Sequence, residues 1–473
     1  MLRLGVILEA LTGKPAPNAP QVITDAVVDS RLAIPGCLFV AIKGEKADGH
    51  DFVGDAFERG ASVALVERPV EGEWTFLDLR RPEKVALPAE LKTPLCLQVR
   101  DSVAALQQVA AHWRRQQEVR VIGITGSVGK STTKELIADV LRQRYRTVKN
   151  PGNLNNEIGL PLSLLKLTGG HERAVLEMGF YVPGEIALLC EIAQPQVGVV
   201  TNISHVHMER AGSLEAIVKG KGELLEALPP APEGVAILNH DEPLVRGMAG
   251  RTKARVFYYG LSPQADLWAD EIEGLGLEGV RFVLHFGEEA LHVRVPLLGR
   301  HSVHTALRAA AVGLVEGLTW QEIIRGLQSS HTQLRLVAVQ GPGGALILDD
   351  TYNAAPPSTL AALNLLDDLE GRRIAVLGDM LELGAFEERG HRMVGVRAAD
   401  VVDELICVGP RARWIADEAL RAGLDPDKVT CVEDSQQAID LLMGRLGQGD
   451  VVLVKGSRGM RMDRIVAALE ERA

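Results

Sequence analysis

Residues 119–135, VRVIGITGSVGKSTTKE, bring two glycines, a lysine and several hydroxyls together in a spacing that suits the holding of phosphate. An apolar strand (Val119, Val121, Ile122, Ile124) runs into Gly126 and Gly129, and a helix follows through Leu136, Ile137, Val140 and Leu141. The glycines free the backbone to turn its N–H groups inward, with Ser127 and Thr132 completing the turn. Lys130 adds a point charge for the outer phosphates, and Ser131 offers a hydroxyl to Mg²⁺ at the helix N-terminus. ATP is the expected ligand. The loop departs from G-x-x-x-x-G-K-[ST], because Ile124 stands where the first glycine belongs and the glycine comes at Gly126 instead. A plain strand-to-helix turn with a surface lysine is the alternative, and the flanking strand and helix weigh against it. Two further polar residues follow apolar runs in the same region. Glu177 comes after Ala174-Val175-Leu176, and His207 lies five residues beyond Asn202. Taken alone, Glu177 reads equally as a solvated strand end or a metal ligand. His207 reads as a surface or capping histidine, since hard Mg²⁺ prefers oxygen.

The elements that must position these groups follow from periodicity. The first hundred residues hold short strand-like runs (37–42 and 62–66), and then a proline-dotted stretch from Pro82 to Pro94 that reads as a linker after a small α/β module. Residues 101–117 carry Val103, Leu106, Val109, Ala110 and Trp113 at helical spacing, with Asp101 as N-cap. Strands at 174–178 and 197–201 alternate with helices. A hairpin is expected where Phe282, Leu284 and Phe286 face Leu291, Val293 and Val295, which implies a large, mainly parallel sheet with an antiparallel edge. After Gly341-Pro342-Gly343-Gly344 the strands 345–349, 374–378, 404–408 and 451–455, each followed by helical spacing, predict a doubly wound module. The fold class is therefore α/β in three domains, 1–99, 100–331 and 332–473, with hinges near residues 100 and 332.

Composition narrows the function. A chain of 473 residues exceeds one ordinary core. A net charge of −11 without a basic stripe argues against a nucleic-acid partner. Five scattered cysteines without a C-x-x-C pair predict reduced core thiols and a cytosolic setting. Glu9 interrupts the first apolar stretch, and no apolar run is long enough to span a bilayer, so neither secretion nor membrane insertion is expected.

In order along the chain, GITGSVGKSTTKE, NPGNLNNEIGLPLSLL (150–165), LEMGFYVPGEIA (176–187), HMERAGSLEAIVKGKGE (207–223), GRHSVHTALRAA (299–310), DDTYNAAPPST (349–359), VLGDMLELG (376–384) with His391, and VKGSRGMRMD (454–463) resemble the signature blocks of the Mur ligase family. The GNLNNEIGLP and GDMLELG blocks are most similar to the member that adds D-alanyl-D-alanine. The stretch 29–52 is similar to that member's UDP-sugar-binding module.

The resemblance implies a small UDP-sugar-binding domain, a central ATPase domain and a Rossmann-like last domain. It also implies an ATP-dependent ligase, working as a monomer in the cytoplasm, that joins D-alanyl-D-alanine to UDP-N-acetylmuramoyl-tripeptide through an acyl phosphate. Two Mg²⁺ ions are implied, held by Ser131, Glu177, His207 and a carbamoylated Lys221. Lys130 joins the last three as the catalytic set. The nucleotide falls to the phosphate loop with Ser302, Thr305, Arg335 and Asp350. The other substrates fall to Ser30, Arg31, Lys43, Gly44, Asn153, Asn155, Asn156, Tyr352, Asn353, Lys455, Ser457 and Arg458. His50 reads equally as structural, and the three asparagines as turn formers. Two departures bear on adenine. The family's H-N-x-x-N is H-S-V-H-T here, and its Y-N-A-N-P is Tyr352-Asn353-Ala354-Ala355-Pro356, so side-chain amides are lost and base selectivity is looser or met by backbone. Other amide ligases of the family, a nucleotide-binding relative without turnover and a nucleic-acid-stimulated ATPase are the competing readings, in that order.

Overall fold

In this computed structural model residues 1–44, 47–88, 90–205, 208–329 and 337–470 are described. Among them the strands form three sheets. His207 and Arg335, and the hinge expected near 332, lie outside the described residues.

The first sheet runs Ala26–Val27, Leu38–Val40, Val63–Val66, Leu95–Gln98, Thr75–Asp78, all parallel. Pro82 to Pro94 is therefore no linker. It connects the edge strand Thr75–Asp78 to Leu95–Gln98, which inserts between that edge and Val63–Val66. Its prolines mark a loop within the module, and spacing along the chain does not reveal which strand the loop returns to.

The helix Ser102–Arg115 starts where expected, with the Asp101 carboxylate accepting from Ala104 N–H at 2.8 Å. Its apolar stripe packs on the helix Leu4–Thr12 on one side and on Gly159–Leu164 and Glu185–Ala193 on the other. One continuous core thus joins the first module to the central domain through Leu8, Leu106, Val109, Leu160 and Leu189.

The central sheet has nine strands, in the order Glu289–Val295, Val280–Phe286, Leu267–Gly274, Arg255–Gly260, Val235–Asn239, Val197–Val200, Arg120–Thr125, Arg173–Glu177, Thr147–Lys149. Arg120–Thr125 lies between two parallel partners, which is why it reads as a nearly unbroken apolar run rather than an alternating one. The expected hairpin forms the antiparallel edge, with Phe282 opposite Val293, Leu284 opposite Leu291 and Phe286 opposite Glu289. The helices Lys130–Leu141, Ser302–Val315 and Trp320–Gln328 cover one face, and their apolar sides make a second core with Ile122, Ile124 and Val199.

The last sheet runs Val337–Gln340, Leu346–Asp350, Asp450–Lys455, Arg372–Gly378, Glu404–Val408, Val429–Val432, parallel except for the first strand. Both faces are buried, giving two cores. The module opens earlier than Gly341, with the antiparallel strand Val337–Gln340.

Among the described residues no helix is long and apolar enough to cross a membrane. All five cysteines are free. Four are buried as expected, and Cys431 is exposed, a correction to the expectation of core thiols throughout.

Candidate active site

The phosphate loop is pinned from the neighbouring strand end. Asn202 Oδ1 accepts from Val128 N–H at 2.9 Å, while Asn202 Nδ2 and Thr201 Oγ1 donate to Val128 O at 3.0 and 2.7 Å. Gly126 has φ +143°, and a Cβ there would lie 1.9 Å from Thr201 Oγ1, so only glycine fits. Gly129, at φ +81°, makes the bend that opens the helix Lys130–Leu141. Ser127 Oγ accepts from Ser204 N–H at 2.9 Å, which makes it a brace for the loop. The Gly126 carbonyl accepts from two lysine side chains, Lys130 Nζ at 2.9 Å and Lys221 Nζ at 2.8 Å.

Glu177 ends its strand 2% exposed, so it is no solvated strand end. Its Oε2 accepts from Ser131 Oγ at 2.6 Å and its Oε1 from Asn155 Nδ2 at 2.9 Å. Asn150, which sequence reasoning missed, locks the Glu177 backbone from both sides, accepting from its N–H at 2.9 Å and donating to its carbonyl at 3.0 Å. Lys134 was also missed. It is 1% exposed, lies 3.9 Å from Glu177 Oε2, and donates to Asn150 O and Gly152 O. Burial lowers its pKa, and Glu177 and Glu135 act in the opposite direction. The signal for both lay in the quoted blocks, in the lysine after GKSTT and the asparagine that opens NPGNLNN.

Lys221 is fully buried in the helix Leu214–Glu226, with its Nζ 4.8 Å from the Phe180 ring centroid. Burial, with Lys130 nearby, holds its pKa well below the ordinary lysine value. Asn155 is engaged by Glu177, and Asn156 Oδ1 accepts from Gly159 N–H at 2.8 Å, fixing the turn into the helix Gly159–Leu164. Asn153 is exposed.

A cavity of 480 Å³ lies between the central and last domains, at the carboxyl ends of both sheets. From the central domain Ser127, Gly129, Lys130, Thr132, Ser302 and Thr305 line it; from the last domain Asp350, Asn353 and Lys455 do so. Lys455 Nζ donates to Asp350 Oδ2 at 2.5 Å and to Asn353 O at 2.9 Å, so three residues assigned separately form one wall. Tyr352 is exposed, with Arg458 Cζ 6.0 Å from its ring centroid. Ser457 Oγ accepts from Leu381 N–H at 2.8 Å and joins two loops of the last domain. His391 is likewise structural. It is buried, accepting from Met380 N–H at 2.9 Å and donating to Glu387 O at 2.7 Å.

At the other end of the cavity Ser302 Oγ donates to Leu298 O at 2.5 Å, and Thr305 Oγ1 accepts from Arg308 at 2.9 Å. The same wall carries Asp241 paired with His304 at 2.9 Å, and His301.

In the first module Ser30 is buried, while Arg31 is exposed and pairs with Asp29 at 2.6 Å. Lys43 and Gly44 are exposed where Lys43 bridges to Asp48. None of the four lines the cavity. His50 is a structural residue, donating to Asp48 Oδ1 at 2.6 Å and accepting from Glu67 N–H at 2.8 Å.

A phosphate loop facing a second α/β domain across such a cavity defines a nucleotide-dependent enzyme, and comparison with known proteins identifies its class. The chain belongs to the Mur ligase family of ATP-dependent acid–amino acid ligases. Residues 23–114 match the Mur ligase family catalytic domain, 124–313 the Mur ligase middle domain and 334–458 the Mur ligase glutamate ligase domain.

Among its relatives, the UDP-N-acetylmuramoyl-tripeptide–D-alanyl-D-alanine ligase of Bacillus subtilis is 36% identical over 95% of this chain and 94% of its own. That of Escherichia coli is 36% identical over 95% of each. The crystal structure of MurF from Acinetobacter baumannii superposes with a TM-score of 0.84 at 31% identity, covering 99% of this chain and 98% of that one. A folylpolyglutamate synthase of Mycobacterium tuberculosis, at 17% identity, a TM-score of 0.61 and coverage of 77% of this chain and 94% of its own, shares the fold alone.

Proposed function

We propose that this chain joins the amine of D-alanyl-D-alanine to the terminal carboxylate of UDP-N-acetylmuramoyl-tripeptide, cleaving ATP to ADP and phosphate, as a cytoplasmic step in making peptidoglycan precursors. The observation that carries this reading is the two-sided cavity, with Lys130 and its loop on one wall and the Asp350–Lys455 pair on the other. The domain division 1–99, 100–331 and 332–473, and action as a monomer, belong to the same reading.

In the first step a carboxylate oxygen of the tripeptide forms a bond to the γ-phosphorus as the bond from γ-phosphorus to the bridging oxygen breaks, so ADP leaves. The amine nitrogen then bonds to the acyl carbon, the phosphate departs with the carbon–oxygen electron pair, and the amine gives up a proton. The first step forces two anions together, so fixed cations and N–H donors have to dominate. Lys130 and the N–H groups of the loop supply them at the nucleotide end.

Magnesium fits the donors present. Ser131 Oγ and Glu177 Oε2 are adjacent oxygens at 2.6 Å beside the loop, and Mg²⁺ takes few protein ligands because phosphate oxygens and waters complete its shell. Ser131 and Glu177, with His207 and a carbamoylated Lys221 carried over from the family, are the residues that would hold it. It would supply neutralisation of phosphate charge and orientation of the carboxylate. Ser30, Arg31, Lys43 and Gly44 are proposed for the uridine diphosphate, where cations meet pyrophosphate. Asn153, Tyr352, Asn353 and Arg458 are proposed toward the peptide, and Arg335 toward the nucleotide.

A coupled ADP-release assay tests the reading. Release is expected only when UDP-N-acetylmuramoyl-tripeptide and D-alanyl-D-alanine are both present. Release with diaminopimelate or glutamate as acceptor, in place of the dipeptide, refutes the specificity. No release with any acceptor refutes the enzyme.

A further inference from the structure

Arg308 belongs to none of the groups considered so far, and its setting is unusual. It is 4% exposed, on the helix Ser302–Val315, and it lines the cavity. Its side chain turns back toward the start of that helix, donating from Nε to His304 O at 3.0 Å and from Nη2 to Thr305 Oγ1 at 2.9 Å. Behind it lies Tyr259, with the guanidinium carbon 5.9 Å from the ring centroid.

What it lacks is a counter-charge. Among the described residues no carboxylate comes within 4.0 Å of it to form an ion pair. Asp241 lines the same cavity but pairs with His304, and Glu242, also on that wall, has its pKa raised by burial. Glu242 acts on the guanidinium only from beyond ion-pair distance. The guanidinium lies at the first turns of its own helix, and it faces the start of the helix Lys130–Leu141, where the backbone dipoles also favour anions. Both Nη atoms lie 3.8 Å from the position a Cβ would take on Gly129, at the mouth of the phosphate loop. A buried guanidinium without an anion is costly to hold, and burial lowers its pKa. A phosphate in the loop would relieve this.

We infer that Arg308 binds the phosphate chain of the nucleotide beside Gly129, at the mouth of the loop, and that its planar fork is a phosphate-binding element of this chain. The inference rests on the nucleotide-binding part of the proposed function. It also accounts for the altered H-S-V-H-T block, because Thr305 orients a cation from that helix where an amide would have addressed the base.

The test uses the full-length chain and the substitution Arg308→Met, which keeps the bulk and removes the charge. Calorimetry with ADP, and displacement of ADP by adenosine, give the two affinities. Thermal melting is followed with and without ADP. The variant is expected to bind ADP about tenfold to a hundredfold more weakly, while adenosine changes by less than about twofold. Its melting point without nucleotide is expected to be equal or higher, because an unpaired buried charge is gone, and the ADP-induced rise is expected to shrink. Arg308→Lys is expected to recover part of the ADP affinity. Unchanged ADP affinity in Arg308→Met, or equal losses for ADP and adenosine, overturns the inference alone. A parent chain that binds no ADP overturns the ligase reading as well.

Discussion

At the scale of single residues, Lys221 shows how burial sets chemistry. Its amine is sealed against Phe180 and the Gly126 carbonyl, in surroundings that favour the neutral form. The neutral amine is the form that would add carbon dioxide: nitrogen would bond to carbon, a proton would leave, and the neutral side chain would become an anionic carbamate, as the proposed function requires. Spacing to Glu223, Leu224 and Leu225 favours Lys221 over Lys219 on one amphipathic helix, and in the fold Lys221 is the one that turns inward. We predict that Lys221→Ala lowers turnover at least about 10- to 100-fold, and that added acetate or another short carboxylic acid partly restores it. Steady-state rates with and without the acid check this, and an unimpaired variant removes the role.

At the scale of elements, the loop depends on how its strand and helix are held at their far ends. Glu316 closes the helix Ser302–Val315, and its 1% exposed side chain pairs with Arg120 at 2.7 Å and Arg173 at 2.5 Å. One carboxylate thereby ties the first residues of two adjacent strands to a covering helix, at the amino-terminal end of those strands, away from the cavity. Glu316→Ala leaves two guanidiniums without their partner and is expected to cost about 3 kcal/mol, since breaking a buried pair strands its charges. Calorimetric melting should fall, while ADP affinity measured below the transition stays near that of the parent. An unaltered melting point would show that the tie is dispensable.

For the whole molecule, the cavity belongs to two domains, so its completeness depends on their approach. Beyond the cavity the central and last domains also touch where His205 stacks on Phe386, ring centroids 4.1 Å apart. The first module shares one continuous core with the central domain, which disfavours a hinge near residue 100. Closure would exclude water from an acyl phosphate. Small-angle scattering should show contraction when an ATP analogue and the tripeptide substrate are both added, and curves unchanged by them would count against closure.

The sequence by itself determined what is local. The loop from Thr125 to Ser131, the helix cap at Asp101, the hairpin pairing Phe282 with Val293 and the apolar strands all follow from residue type and short-range period, because backbone torsion and one-sided burial act over a few residues. Tertiary structure alone decided what is distant. It brought Asn150 to the backbone of Glu177, Lys455 to Asp350 across 105 positions and Arg308 to Gly129, and it returned the chain after Pro94 to the middle of its sheet. Those proximities depend on which strand lies beside which, and periodicity along one segment carries no record of its neighbours.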